Sequence, residues 1–546
     1  MKFIKNILFV AIMASLPFLA VGQEKEKPKA NWQNLDLATD GVFGISTEKA
    51  YKELLKGKKS SPVIVAVIDG GIDEEHEDLK KIMWINTREI AANGKDDDKN
   101  GYADDVYGWN FIGSKKGNVH YDNMELVRLI KKLQPKYAAA LNSTPFDEKE
   151  QKEFLLYKKL ITDYMDKLQN AQMGLANSTI FKRYIDEIVA KLKVNKPTLR
   201  DFDNYKPASD IEGRVLKAIK SELKENPDFG KLKDDVNEGI KYYNARVKYH
   251  LNLEFSSRDT VGDNYANSNE KYYGNSDITG PDAEHGTHVG GIIAAIRNNG
   301  IGINGVADNA KLMGIRSIPD GDERDKDVSN SIRYAVDNGA KIINMSFGKS
   351  YAWDKKVVDE AVKYAMDKGV LLVHAAGNEA VNTDKTDNFP NRQFVDSLGI
   401  NMGIADAWIE VGASGWKNDE TLLASFSNYG KKSVDVFAPG VKINSTLPGS
   451  KYKENDGTSM ASPVVAGLAA LIWSYYPNLT AVQVKDVIMK SVTKVDTKVK
   501  IKDEGGSRKV DFSELSVSGG IVNAYNALLI AEKINSNAPA NVKASN

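Results

Sequence analysis

Four side chains in this sequence have the types and settings that nucleophilic catalysis needs: Ser459, His285, Asp69 and Asn378. Ser459 stands in Asp456-Gly457-Thr458-Ser459-Met460-Ala461-Ser462-Pro463, a Gly-Thr-Ser turn running into the apolar stretch 464–473. Pro463 near the start of that stretch fits a first helical turn, where a missing N–H costs little, and the pattern predicts Ser459 at a helix N-terminus. Free amides and the helix dipole favour developing negative charge there, as an attacking hydroxyl requires; the same position equally suits a plain N-cap serine. A serine hydroxyl is a weak nucleophile until a base takes its proton, so the reading turns on whether a base and its orienting group lie upstream.

His285 opens Glu284-His285-Gly286-Thr287-His288-Val289-Gly290-Gly291, whose glycines let a helix pack closely on a neighbour. Asp69 ends Val63-Ile64-Val65-Ala66-Val67-Ile68-Asp69. Six consecutive apolar residues, rich in β-branched types, read as a strand buried on both faces. Catalytic and binding groups of open α/β sheets gather at the carboxyl ends of such strands. Asn378 follows a strand predicted at 370–373 and the small residues Ala375-Ala376-Gly377, which make an open floor with an amide donor at its rim. Taken singly, Asp69 equally starts a turn; His285 and His288, three apart on a helix, offer two ligands to a metal, but the missing Glu-x-x-His companion argues against one.

The elements that must position these residues alternate. Strands predicted at 311–316, 341–345, 370–373, 409–413 and 434–437 interleave with helices at 328–338, 355–368 and 481–489, with a last helix near 522–534. This predicts an α/β fold with a doubly wound, mostly parallel sheet. Between 113 and 271 the pattern changes to amphipathic helices at 124–133, 154–168, 180–192, 211–223 and 236–251, read as a helical inserted subdomain of a domain's size. The expected organisation is a signal peptide 1–22, a first part of the main domain 23–112, the insertion 113–271, the remainder of the main domain 272–534 and a flexible tail 535–546.

Composition narrows the chemistry. Lys+Arg and Asp+Glu are both 74 in 546 residues, so no global charge argues for nucleic acid or an anionic membrane. The chain has no cysteine, which excludes disulfides, thiol catalysis and cysteine-ligated zinc. Lys2 and Lys5 precede the apolar run 7–21, and Ala20-Val21-Gly22 offers small residues at a cleavage site before Gln23. The expectation is an exported, periplasmic or secreted monomer, free of the membrane after signal removal. One loop is a candidate cation site: Asp96-Asp97-Asp98-Lys99-Asn100-Gly101-Tyr102-Ala103-Asp104 matches the first half of an EF-hand loop, with Gly101 at the sharp bend. Position twelve is Tyr107 rather than glutamate and no EF-hand helices flank it, so the expectation is structural calcium on Asp96, Asp98, Asn100, Asp104 and the Tyr102 carbonyl; a solvated acidic turn is the alternative.

Together these motifs resemble the subtilisin family of serine endopeptidases, in which the triad runs Asp, His, Ser along the chain. The resemblance rests on Val67-Ile68-Asp69-Gly70-Gly71-Ile72-Asp73, His285-Gly286-Thr287-His288, Ala375-Ala376-Gly377-Asn378 and Gly457-Thr458-Ser459-Met460-Ala461-Ser462-Pro463, with Ile343-Asn344-Met345-Ser346-Phe347-Gly348 and Phe437-Ala438-Pro439-Gly440 beside them. It implies Ser459 as nucleophile, His285 as general base then acid, Asp69 as the group orienting it, and the Asn378 amide as oxyanion donor with the Ser459 N–H. It further implies that Ser346, Phe347 and Gly348 hold the substrate backbone, and that Ala375, Ala376 and Gly377 floor the main pocket. Substrates would be proteins or peptides, and Asp78 would be a calcium ligand completed by the loop holding Asn298. Gly70 stands where the family usually has Ser or Thr, and His374 where a small residue is common, which leaves pocket size and polarity open. A catalytically silent relative, binding a partner through the helical insertion, is the alternative function.

Overall fold

The computed structural model describes residues 27–395, 401–503 and 506–537; the expected signal peptide and residues 538–546 of the tail lie outside the described residues. The chain divides into two compact units, 28–125 with 256–546, and 126–255.

The first unit is built on a nine-stranded sheet in which β1, Val63–Asp69, is the third strand from one edge. Side chains alternate across a strand. Val63, Val65 and Val67 accordingly enter one hydrophobic cluster, while Ala66 and Ile68 enter the other. On one side of β1 lie β3, Ala310–Arg316, and then β2, Gly108–Asn110. On the other lie β4, Ile342–Met345, β5, Leu371–Ala375, β6, Trp408–Ser414, and β7, Val436–Pro439, followed by β9, Gly520–Ile521, and β8, Thr493–Lys494. Every pairing is parallel except β8 with β9. The chain therefore leaves β1 in both directions, and the carboxyl ends of β1, β4 and β5 open onto the switch point where α/β sheets bind ligands.

The helix Thr458–Tyr475 crosses one face of the sheet with every residue buried but Ser459 and Tyr475. A helix apolar all round belongs in a core. Among the described residues it is also the one helix long and apolar enough to span a membrane, and 89% of it is buried. A hairpin that the sequence reading lacked, Ile443–Leu447 with Lys451–Asn455, packs beside the His285 helix, Glu284–Ala294.

The helical unit is narrower than the expected 113–271. Residues at both edges of that range are tied to the sheet unit: Asn110 donates to Asn118 at 2.8 Å, Arg258 pairs with Asp327 at 2.7 Å, and the Tyr273 hydroxyl donates to Asp327 at 2.6 Å. Inside 126–255, one helix of 45 residues, Glu148–Leu192, replaces the two expected at 154–168 and 180–192. Its middle holds no proline, and Gly174, a weak breaker by itself, lies against the Tyr243 ring. Phe181, Ile185, Ile188, Phe202, Ile219 and Leu232 form this unit's own core.

Candidate active site at the carboxyl ends of the central strands

Asp69 is the last residue of β1 and 3% exposed. Its carboxylate accepts the Gly70 N–H at 2.7 Å and faces the His285 ring, whose Nδ1 lies 2.8 and 2.9 Å from the two oxygens. This approach requires Gly286: a Cβ there would stand 2.2 Å from the Gly71 carbonyl oxygen and 2.9 Å from Asp69 Cβ. Partial burial pulls the His285 pKa down, but the Asp69 charge and hydrogen bond, with Asp282 and Glu284 nearby, hold it above the ordinary histidine value. With Nδ1–H committed to the carboxylate, neutral His285 presents a lone pair on Nε2. His288 does not join it: its Nε2 lies 3.0 Å from the Lys453 carbonyl oxygen, and burial pulls its pKa down to about 4. The two histidines thus serve separate partners.

Ser459 is the second residue of its helix, as expected, but Pro463 is the sixth and not in the first turn. A helical proline removes the N–H that would bond four residues back, here to the Ser459 carbonyl. That carbonyl accepts the Ser346 hydroxyl at 3.0 Å, while Ser459 Oγ donates to the Ser346 carbonyl at 3.0 Å. Asn344 holds the arrangement from below, donating to Ser346 Oγ at 3.0 Å and accepting from Ser462 Oγ at 2.9 Å. Among the described residues Ser459 Oγ makes no hydrogen bond to His285. Such contacts commonly form only when substrate arrives, and a serine reaches a new partner by rotation about one bond.

Asn378 is exposed just beyond β5, and its orientation is fixed through its carbonyl oxygen, which accepts from the Thr458 N–H at 2.9 Å and the Thr458 hydroxyl at 3.1 Å. Thr458 Oγ1 in turn accepts the Gly377 N–H at 3.1 Å. The Asn378 NH₂ is left facing outward, beside a helix N-terminus whose first amides have no intrahelical acceptor. Thr458 lay in the quoted motif without a role, because only the folded geometry reveals which end of the Asn378 amide it binds.

Ser346, Phe347 and Gly348 continue β4 as irregular backbone rather than as a strand, and Ala375, Ala376 and Gly377 end β5 beside them. Asn428, another residue without a sequence signal, braces the second segment by donating to the Ala376 carbonyl at 2.8 Å and accepting from Glu379 N–H at 3.1 Å. His374 sits behind Phe347, the two rings edge to face with centroids 6.3 Å apart. It is fully buried, with Nδ1 3.0 Å from both oxygens of Glu410 and its ring against Trp408. A cleft of about 420 Å³ runs past Asp69, His285, Ile318, Ser346, Phe347 and Asn455.

The acidic loop converges differently from expectation. Glu89, Asp96 and Asp98 bring carboxylate oxygens within 4.8 Å of one another. Asp104 instead caps another turn, accepting from the Asn93 and Gly94 N–H groups, both at 2.9 Å. Asn100 turns its oxygen to the Tyr102 N–H at 2.8 Å and its NH₂ to Asp105 at 2.9 Å, while the Tyr102 ring packs on Trp109 and Tyr334. Glu89 lies outside the Asp-x-Asp-x-Asn-Gly register and had no signal of its own. Asp78 is wholly buried: Oδ1 accepts from Asn299, not Asn298, at 2.6 Å, Oδ2 makes no hydrogen bond, and burial raises its pKa. A buried carboxylate oxygen without a donor fits a cation.

Residues 60–510 match the S8 peptidases described as "Subtilase family". Among characterised proteins, subtilisin NAT of Bacillus subtilis subsp. natto is 40% identical over 215 residues, 39% of this chain and 51% of that protein. A thermophilic serine proteinase of Bacillus sp. (strain AK1) is 39% identical over 223 residues, 39% of this chain and 47% of the relative. A subtilisin of Bacillus pumilus is 39% identical over 215 residues, 70% of its length. The chain thus spans about half the length of the first two relatives.

Proposed function

The chain belongs to the subtilase family, and on that footing we propose that it is an exported serine endopeptidase. What supports this reading most is one observation: Asp69 and His285 pair at 2.8 Å at the sheet's switch point, beside a serine at a helix N-terminus and an asparagine amide oriented outward by Thr458. In the proposed reaction His285 Nε2 takes the proton of Ser459 Oγ as the oxygen attacks the scissile carbonyl carbon. The oxyanion so formed accepts from the Asn378 NH₂ and the Ser459 N–H. Collapse breaks the C–N bond, His285 returns its proton to the leaving amine, and an ester on Ser459 remains. Water, deprotonated by His285, then attacks that ester; the acyl C–Oγ bond breaks as His285 returns the proton to Ser459 Oγ, and the acid leaves. Asp69 holds the imidazole orientation and favours its charged form throughout.

Removing the nucleophile tests the reading. Ser459→Ala should reduce casein hydrolysis by about 10⁶, since triad members act as a unit and only oxyanion donors and binding remain. An alanine variant that cleaves as fast as the parent would refute the assignment.

Structural calcium belongs to the same proposal. Asp78, and separately Glu89, Asp96 and Asp98, would hold the ions, which neutralise carboxylates that otherwise repel one another or lie buried without a donor. Export rests on Lys2 and Lys5 before the apolar run 7–21 and on the small residues Ala20-Val21-Gly22 after it, and substrates would be proteins or peptides.

A further inference from the structure

We infer that His120 is a substrate-contacting residue of the cleft, carried there by the segment 118–125, and that Arg324 is the positioning residue that holds this segment as an added wall. This rests on the peptidase reading above.

His120 lies in the range whose sequence pattern marks the helical insertion, and none of the motifs that carry the family resemblance includes it. In the fold it is half-buried and lines the same cleft as Asp69, His285, Ser346 and Phe347. The residues around it run beside the loop that follows β3. The Asp320 N–H donates to the His120 carbonyl at 2.8 Å, the Asp122 N–H donates to the Asp320 carbonyl at 3.0 Å, and Tyr121 bridges Asp320 in parallel. The approach requires a glycine: a Cβ on Gly321, whose φ is +145°, would stand 2.3 Å from the Asp122 carbonyl oxygen. The Tyr121 ring lies against the His120 ring with centroids 4.1 Å apart, which limits where the imidazole can point.

Three buried cations hold the segment. Arg316, at the end of β3, donates to the Val119 carbonyl and, at 3.2 Å, to Asn110 Oδ1. Arg324 grips Asp122 with two prongs, Nε to Oδ2 at 2.7 Å and Nη2 to Oδ1 at 2.9 Å, neither side chain being more than 5% exposed. Lys349, the residue after Gly348, lies 2.7 Å from a Glu125 oxygen and 2.6 Å from an Asp325 oxygen. A buried charge that loses its partner is strongly destabilising, so the segment has one place to lie. All three cations belong to stretches that bound the cleft or adjoin its lining residues, so cleft and added wall are fixed as one piece.

A peptide held along Ser346–Gly348 with its scissile carbonyl at Ser459 runs through this cleft, where His120 offers a flat ring and polar nitrogens. A substrate with one residue before the scissile bond is too short to use them. The experiment takes the full chain and two p-nitroanilides, one with four residues before the nitroanilide and one with a single acetylated residue. His120→Ala should raise KM for the long substrate about tenfold with little change in kcat, and lower the long/short ratio of kcat/KM by that factor. Arg324→Met combined with Asp122→Leu replaces the ion pair by apolar groups and leaves no lone charge. It should lower the ratio similarly, and adding His120→Ala should lower it no further, because both changes act through one wall. If that combination does not fold, Arg324→Lys decides: it keeps the charge, loses the two-pronged grip, and should lower the ratio in part, again without adding to His120→Ala. A ratio unchanged by His120→Ala overturns the contact, as does an equal loss on both substrates. Effects that add in full, or a ratio that no Arg324 variant moves, overturn the positioning role. A folded parent that cleaves neither substrate and takes no fluorophosphonate at Ser459 overturns the peptidase reading itself, and the inference falls with it.

Discussion

Asp69 and His285 act on each other's ionisation, and that coupling has a sign. The Asp69 charge holds the His285 pKa above its ordinary value of about 6.5, against the downward pull of burial. A base must be neutral, so kcat/KM should rise with pH through a midpoint above 6.5. Asp69→Asn removes the charge and should move that midpoint down while lowering the rate by about 10⁴. Stability runs the other way. A raised folded pKa means the protonated pair adds stability that is complete below the unfolded value and disappears as pH rises through the folded one. Measuring kcat/KM against pH for both proteins checks this, and an unmoved midpoint would contradict it. At this scale the sequence was informative where residue type alone decides chemistry, as for Ser459, His285, Asp69 and Asn378. It was silent where a rotamer decides. Thr458 orients Asn378, and Glu89 replaces Asp104 in the acidic cluster, because each depends on how a loop closes.

Elements carry these residues to one another, and the closest approach is that of the His285 helix to the end of β1. Gly286→Ala would place a methyl 2.2 Å from the Gly71 carbonyl oxygen. Overpacking of this kind costs about 1–3 kcal/mol, and here the relief available is to push His285 off Asp69. Denaturant melts and hydrolysis rates should therefore fall together; a variant that loses neither would show that the contact is soft. β1 was legible because an unbroken apolar run rich in β-branched residues has few other meanings, β4 because it falls between two helical patterns, and both lie within one residue of their expected limits. The hairpin Ile443–Leu447 with Lys451–Asn455 was not legible. It packs through hydroxyls, Ser445 and Thr446 donating to the carbonyls of His288 and Thr287 at 2.7 Å each, so no apolar alternation marks it. The long helix Glu148–Leu192 was split in the reading because its middle turns are polar and contain Gly174.

For the molecule as a whole, the sheet unit and the helical unit are separate in sequence character and in contacts, but their seams were misplaced. Arg258, Tyr273 and Asn118 look like part of a polar insertion, yet each is fixed by partners in the sheet unit. Stability of that unit should depend on calcium. Chelation leaves Asp78 buried with an oxygen that has no donor, and leaves three clustered carboxylates to repel. A ligand bound by the native state at 100 times its Kd adds about 2.7 kcal/mol, so a chelator should lower Tm by several degrees. Glu89→Gln should remove part of that shift, while an unaltered Tm would count against both cation sites.

The central claim is that Ser459 is a nucleophile made reactive by His285. Its most direct measurement is fluorophosphonate labelling of the folded protein with the adduct mapped by mass spectrometry. The account predicts a single adduct on Ser459, lost in Ser459→Ala and slowed at least a hundredfold in His285→Ala. A folded protein that takes no label at Ser459, or labels as fast without His285, would contradict it.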